Sequence, residues 1–559
     1  MSGTEISREL LSSLLEATRV PQGTHSEFGI AMFHGAKFYD AGPRGADFIG
    51  GQRLAQLSDS TREAGGGFEG VVFRDRAFFI GARFIGPVSF AQAQFCDFAL
   101  FEGVTFEGGA WFGTVGFQGQ VSFSYAQFEG ECWFGEAVIV GDASFDCAKF
   151  SMDAYFPHVR FNGNAQFSGA AFEKRAVFGG VKVGARMIFG EVSFNSNVTL
   201  GPLVCSGDIV LQAAIMRGAA LVEAEAREII CRRASFEAPI TIRARRAVVD
   251  LTNATLLQPC AVTTDFAPDR PQVIALENVT VSVSSIRGVD ASMLLLSDTD
   301  LSQCSFAGTH NLDQLRLEGR WDLSSAPTGL YWHKGIPRWW VKRQVIREER
   351  DWRALPSRPP AARSGWGQPT RGTDPAPGLA TITSTYRQLR KAREDAKDEP
   401  GAADLYYGEM EMRRHSHNWR HAERWLLQAY WMLSGYGLRA SRSLGWLAAA
   451  MTATVFLMMG YGLPDSPPKQ QLTGTVPANG GKATFEVEKP DPHNPTRDRF
   501  TLIRFEKALS ITLNSVVFRS TGQDLTTTGN YIEMVSRFSE PILLGLGALA
   551  IRGRVKRGS

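Results

Sequence analysis

The chain has 559 residues, 44% hydrophobic and 21% charged, with 60 basic against 57 acidic side chains and a formal net charge of +3. That balance excludes a partner held by bulk charge, and the length leaves room for several regions. The seven cysteines (Cys96, Cys132, Cys147, Cys205, Cys231, Cys260, Cys304) form no CxxC pair and are odd in number, so they read as buried fillers in a reducing compartment. No signal peptide is expected.

Ile6–Val20 reads as a short amphipathic helix within an N-terminal cap region, residues 1–27, where it can cover an open sheet edge. Phe33 and Phe38 then open a pattern that a polar, glycine-rich insertion, Gly50–Gly67, interrupts. From Phe68 through Phe79, Phe90, Phe101, Phe112 and Phe123 to Leu200, a large apolar residue recurs every eleven positions. A second series, Phe73, Phe84, Phe95, Phe106 and onward to Phe194, follows five residues behind each member. Small residues such as Ala77, Ala99 and Ala110 precede many of these by two. Gly81, Gly103, Gly130, Gly163, Gly169 and Gly180 follow by two, where they supply a positive φ at a corner.

No helix has this beat, because its face recurs at about 3.6 residues. In a strand, residues two apart share a side, so each unit is a very short strand with one small and one large residue inside. A fixed period of this kind specifies a solenoid. Four units make a coil of about 22 residues, and the regular stretch is about six coils, roughly 29 Å long. The solenoid is expected over residues 28–320, most regular over 66–202. Beyond Leu200 its core turns to mixed aliphatics, Val248–Leu256 and Leu296–Phe306 still read as coils, and Leu317 is the last candidate.

Ala-x-Phe-x-Gly repeated in fives and sixes resembles the pentapeptide-repeat family over about 130 residues. The resemblance implies an all-β solenoid, a right-handed quadrilateral β-helix. The family's usual beat is a uniform five, and this chain departs from it.

Residues 321–378 form a region rich in tryptophan and proline. Trp339–Trp352 reads as a basic, aromatic helix that either lies on an anionic membrane surface or packs on the solenoid end. Ala361–Pro377 reads as a flexible linker. In the cytoplasmic helical region, 379–438, Ser384–Arg414 reads as a hairpin turning at Pro400–Gly401. Its residues Tyr386, Arg387, Gln388, Leu389, Tyr406, Tyr407, Glu409, Met410, Glu411, Arg413 and Arg414 are similar to the linker that joins pentapeptide repeats to a two-helix, ion-channel-like membrane domain. His417 and His421 have the spacing of two helical zinc ligands, with Glu411 and His415 nearby. The cluster lacks HExxH and precedes a membrane span, so no metal and no other cofactor is expected.

Leu444–Leu463 is twenty residues without a charge, long enough to cross a bilayer. Arg439 and Arg442 before it place its N-terminal side in the cytoplasm. A polar extracytoplasmic loop over 464–500, an amphipathic segment over 501–525 and a second span over 531–551 complete the region. That second span carries Glu533, Arg537 and Glu540 and ends in a basic tail, so the C-terminus is also expected in the cytoplasm. Ser515, Phe518, Arg519, Ser520, Thr521, Gly522, Gln523 and Asp524 loosely resemble a potassium-channel pore helix and filter. Gln523 stands where a Tyr-Gly pair belongs, and Arg519 adds a fixed charge, so a stack of filter carbonyls is not expected.

These features favour a non-enzymatic scaffold tethered in the cell membrane, touching lipid and an unidentified protein. A channel-derived, homo-oligomeric pore subunit is the alternative. The family resemblance adds a third reading, DNA mimicry toward a topoisomerase, through Asp97, Glu102, Glu107, Glu129, Glu131, Glu136, Asp142, Asp146 and Asp153, with only Lys149 opposing them. Direct nucleic-acid binding is not expected. No nucleophile elbow, P-loop or cofactor fingerprint occurs in a suitable context.

Overall fold

The structure, a computed structural model, describes residues 3–20, 25–39, 67–264, 280–333, 336–340, 342–357, 363, 365–366, 377–465, 471–475, 484–488, 492–495, 497–517 and 524–555. The chain divides into two compact units, Met1–Ala396 and Lys397–Ser559.

The first unit is a parallel β-solenoid with four short strands per coil. In one coil these are Gln94–Phe95, Ala99–Leu100, Thr105–Phe106 and Ala110–Trp111. Ala99 pairs with Val121 and Val121 with Ala143, so each coil takes 22 residues. Both phenylalanine series point inward and are fully buried from Phe68 to Phe189. Rings one coil apart stack, as in Phe90–Phe112 (5.0 Å, 1°), while neighbouring rows meet edge to face, as in Phe112–Phe123 (5.2 Å, 82°). Both geometries suit the ring quadrupole, and each buried ring contributes about 1.5–3 kcal/mol through area alone. Phe33 and Phe38 belong to this lattice, stacked on Phe79 and Phe84. The insertion Gly50–Gly67 lies outside the described residues, save Gly67 itself.

The alternation of five and six reflects two kinds of corner. Across the five-residue steps the chain makes a β-turn, with Ala82 N–H donating to Phe79 O at 3.0 Å and Ala126 N–H to Phe123 O at 3.0 Å. The third turn residue has positive φ, whether it is Gly81 (64°), Thr114 (53°) or Tyr125 (60°). Gly130 and Gly163 stand on the six-residue steps, outside the positive-φ positions. A Cβ on Gly130 would lie 2.4 Å from the Gly108 backbone, so this glycine serves close approach between coils.

The coil shortens after Leu200. Strand Val198–Cys205 pairs with both Ala176–Val177 and Lys182–Val183, crossing in extended form what had been a corner. Its register against the next coil shifts between Leu200 and Leu203. Thereafter Ala220 faces Ile240 and Ile240 faces Cys260, a period of 20, which is the uniform five of the repeat family. The core becomes Val222, Ile242, Val262 and Leu296, and Arg316–Glu318 is the last strand of the ladder.

At the N-terminal end, Glu5–Ile6 pairs with Lys37–Phe38, and helix α1 (Arg8–Ala17) follows, with Ser7 Oγ accepting from Leu10 N–H and Leu11 buried. At the other end the expected helix Trp339–Trp352 is three elements, the middle one a short strand, Gln344–Val345, paired antiparallel with Ser324–Ser325. Trp339 and Trp340 lie in strand Ile336–Trp340, paired antiparallel with Gly329–His333, and only α2 (Arg347–Ala354) is helical. Aromatic and β-branched residues favour a pleated strand, and the aromatic, basic composition did not distinguish strand from helix. Most of the expected linker Ala361–Pro377 lies outside the described residues, but Trp366 within it is buried with Ala326 and Val345.

Helix α3 (Leu379–Asp395) closes the first unit. The break before the next helix falls at Ala396–Asp398, where Lys397 takes a φ of 60°, so Pro400 and Gly401 sit inside a helix rather than at the turn. The second unit holds α4 (Glu399–Ser416), α5 (Ala422–Ser434), α6 (Ala440–Leu457) continued by a π-turn to Gly462, α7 (Leu502–Val516) and α8 (Thr527–Val555). A strand pair, Gln471–Thr475 with Thr484–Glu488, lies within the expected polar loop.

Candidate functional site

Three places hold polar groups in unusual settings. The first is the C-terminal end of the solenoid. Along the ladder, some N–H groups donate to the preceding coil, as Thr105 N–H does to Ala82 O, and others to the following one, as Phe101 N–H does to Ser122 O. At the last coil Phe306 and Ala307 N–H donate instead to Glu348 Oε1 of α2, at 2.5 and 2.8 Å. Arg347 donates to the carbonyls of Ser284 and Gln303. A side-chain carboxylate thus satisfies donors on an edge that would otherwise be open. The basic helix packs on the solenoid end, which was one of its two expected placements.

Beside it, Glu349 is fully buried and accepts from Arg343 (2.5 Å), Arg353 (2.6 Å) and Tyr386 (2.5 Å). The two adjacent glutamates shift in opposite directions. Burial pushes Glu348 up. Burial acts the same way on Glu349, but Arg343 and Arg353 outweigh it and hold its carboxyl below the ordinary range.

The second place is the run of acidic residues on the solenoid. The structure spreads them around the coil instead of gathering them on one side. Asp97 and Asp142 precede the strands at Ala99 and Ala143, Glu102 and Asp146 follow those two strands, Glu107 and Glu129 follow Phe106 and Phe128, and Glu131 and Asp153 precede Cys132 and Ala154. Glu136 occupies a positive-φ turn position. Several have local work. Asp142, Asp146 and Asp153 accept the backbone N–H of Asn164, Ser168 and Arg175, each 22 residues on. Arg83 pairs with Glu107 and Arg175 with Asp153. Corner capping accounts for part of the acidic bias. Cys132, Cys205, Cys231, Cys260 and Cys304 are buried fillers, with burial pushing the Cys260 thiol up to about 12, whereas Cys96 and Cys147 are exposed, against the expectation for all seven.

The third place is the helical unit. Two of its helices are long and apolar enough to cross a membrane, Ala440–Gly462 and Thr527–Arg552, with mean hydropathy 1.5 and 1.4. Only 39% and 28% of them is buried, unlike the core helices of a protein folded in water. Phe538 is 74% exposed and Leu502 74%, and Val535, Met534 and Ile503 are exposed alongside. Several polar side chains turn inward. Thr512, Ser515 and Glu540 are fully buried, and Ser536 and Thr454 nearly so. Ser515 Oγ meets Ser536 Oγ at 2.6 Å, and Thr454 Oγ1 donates to Glu540 Oε1 at 2.9 Å. The apolar contact between α6 and α7 is Val455, Met458, Met459, Ala508 and Ile511, with Ile532 of α8 packed against it. It is tight enough that a Cβ on Gly529 would lie 2.4 Å from Gly462 O.

Of the pore-like residues, Ser515 therefore faces α8 inside the unit, and Asp524 is exposed next to buried Leu525. Phe518, Arg519, Ser520, Thr521, Gly522 and Gln523 lie outside the described residues. α4 ends at Ser416 and α5 begins at Ala422, so His417 and His421 do not share a helix face. His417 is 3.2 Å from Glu423 and His415 is 3.7 Å from Glu411. Glu411 is engaged by Arg414 and by Tyr436, whose hydroxyl is pushed well up by burial. The polar contacts of Glu540 and Ser536 were not read from the sequence as a site, although Ser536 and Glu540 stand four apart on one helix face.

No curated protein and no solved structure gives a significant match to the chain. Residues 68–115 match the family model "Pentapeptide repeats (9 copies)". Together with the coil geometry above, that match supports a pentapeptide-repeat solenoid.

Proposed function

We propose that the chain is a membrane-anchored scaffold, its helical unit held in the bilayer and its solenoid offering a cytoplasmic surface to a protein partner. One observation carries this reading: both candidate spans expose large apolar side chains such as Phe456 and Phe538, while Ser443, Thr454, Ser536 and Glu540 face inward. In water that arrangement costs free energy, whereas in lipid it leaves polar groups paired among helices. Arg439 and Arg442 at the start of the first span, with Arg552 at the end of the second, favour a cytoplasmic location for both flanks. The solenoid has the flat, extended surface that repeat proteins use to bind partners.

A second reading, a pore subunit, is favoured by α7, a helix about 22 Å long that stands between two candidate spans. It requires a symmetric ring of copies. The full chain reconstituted in liposomes tests both. The scaffold reading expects flotation with vesicles that survives alkaline carbonate, without ion flux. Release by carbonate as a soluble monomer would remove the membrane anchor, and flux dependent on the chain would favour the pore.

A further inference from the structure

Glu540 lies near the middle of the candidate span Thr527–Arg552, the depth at which an ionisable side chain is most costly. It is fully buried. Its Oε1 accepts a hydrogen bond from Thr454 Oγ1 at 2.9 Å, and the Ser536 hydroxyl one turn earlier also interacts with the carboxyl. Its Oε2 is buried with no hydrogen-bond partner. Thr454 comes from the middle of the other candidate span, so both groups sit at one depth of the unit.

The surrounding charges are engaged or turned elsewhere. On α5, Glu423 pairs with Arg413, and Arg424 donates to the carbonyls of Arg414 and His417. On α6, Arg442 donates to the Trp431 carbonyl. On α7, Arg504 donates to the carbonyls of Met459 and Leu463, while Glu506 and Lys507 are exposed. On α8 itself, Arg537 pairs with Glu533 one turn earlier. Among the described residues no basic side chain pairs with Glu540.

A carboxylate only accepts hydrogen bonds, and both its oxygens need donors. Here one oxygen has a donor and the other has none. A buried charge without a counter-charge or donors is strongly unfavourable. The neutral acid carries its own proton on the second oxygen and leaves no charge behind. Two further features make the place polar. Ser536 lies one turn earlier on the same face, and its hydroxyl meets Ser515 of α7. Pro541 follows directly and has no N–H to give to the Arg537 carbonyl, so that carbonyl is left without its helix donor.

From this geometry we infer that Glu540, held by Thr454 and approached by the Ser515–Ser536 hydroxyl pair, is a proton-binding site inside the helical unit. The inference rests on the membrane reading above. A proton held at mid-depth on hydroxyl-linked helices couples the packing of α6, α7 and α8 to pH.

Dicyclohexylcarbodiimide, an apolar reagent, tests it on the full chain in liposomes. The acid proton moves to one carbodiimide nitrogen while the carboxylate oxygen bonds to the central carbon. The resulting O-acylisourea rearranges to a stable N-acylurea, with addition of one whole reagent molecule and no leaving group. The expected result is one adduct on the peptide holding Glu540. It should fall about tenfold per pH unit once the acid titrates, disappear in Glu540→Gln, which keeps the acceptor for Thr454, and persist in Glu540→Asp. Chains that float with the vesicles but carry no adduct at Glu540 would overturn the inference and leave the membrane reading standing. Chains that fail to float would overturn that reading, and the inference with it. Equal labelling of wild type and Glu540→Gln at other carboxyls would also overturn it.

Discussion

The two units of this chain sort their side chains in opposite directions. In the solenoid, Phe79, Phe90, Phe101 and Phe112 are fully buried, and the carboxyls stand at the corners. In the helical unit, Glu540, Ser515 and Thr512 are fully buried, while Phe538 and Leu502 are 74% exposed. The same physics gives both patterns if the surroundings differ. Water drives apolar surface inward, while a hydrocarbon surrounding is indifferent to Phe538 and hostile to Glu540. On the membrane reading proposed above, the contrast reports on the medium around each unit, and it can be broken or sharpened residue by residue.

The largest effect is expected in the solenoid. Phe123 is stacked between Phe101 and Phe145 at 4.8 and 5.0 Å. Phe123→Ala should lower stability by about 3–5 kcal/mol, because stacked rows on both sides hold the cavity open. Denaturant unfolding followed at the β-sheet signal measures it. A loss no larger than that of an exposed substitution would remove the inward lattice.

Next comes the buried carboxylate at the solenoid end. Glu349→Gln should cost about 3 kcal/mol, since it leaves Arg343 and Arg353 without their counter-charge. The pH dependence has a definite sign. The folded carboxyl is depressed, so between the folded and unfolded values the unfolded chain binds more protons and stability rises with pH. The contribution is present above the unfolded glutamate value of about 4.3 and is lost as pH falls through the folded one. Subtracting the Glu349→Gln profile from that of the wild type isolates this slope, and identical profiles would refute the assignment.

A smaller effect of opposite sign tests the corners. Thr114 is a β-branched residue held at a φ of 53°. Left-handed backbone costs such a residue about 1–2 kcal/mol. Thr114→Gly should therefore stabilise the solenoid, by about 1 kcal/mol after the added freedom of the unfolded chain is counted. A lower melting temperature would mean that the side chain contributes more than the strain removes.

How much of this was legible follows the strength of each local signal. An eleven-residue beat of phenylalanine has no helical solution, so Phe68 to Leu200 gave strand, inward face and the 22-residue coil together. The 20-residue coils were weaker, because Val222, Ile242 and Val262 carry only aliphatic bulk and their longer strands erase a corner. Trp339–Trp352 was read as one helix because composition is blind to a hairpin that only backbone pairing reveals. Glu540 appeared in the sequence solely as a liability of the second span. Its meaning depends on Thr454, 86 positions away, and nothing local to either residue announces that meeting. The acidic run was visible, but the coil register that disperses it was not.

The smallest expected effect bears most directly on the contrast. Phe538→Ala makes the same chemical change as Phe123→Ala, on a ring that is exposed in its own unit. In detergent it should change the stability of the helical unit by less than about 0.5 kcal/mol, because no packed neighbour is lost. The same substitution should weaken partitioning into vesicles, because the ring is one of those facing outward from the span. A cost in detergent comparable to that of Phe123→Ala would mean that protein covers this surface, and the outward apolar face would then report a partner copy instead of lipid. No cost in either medium would show that Phe538 meets neither.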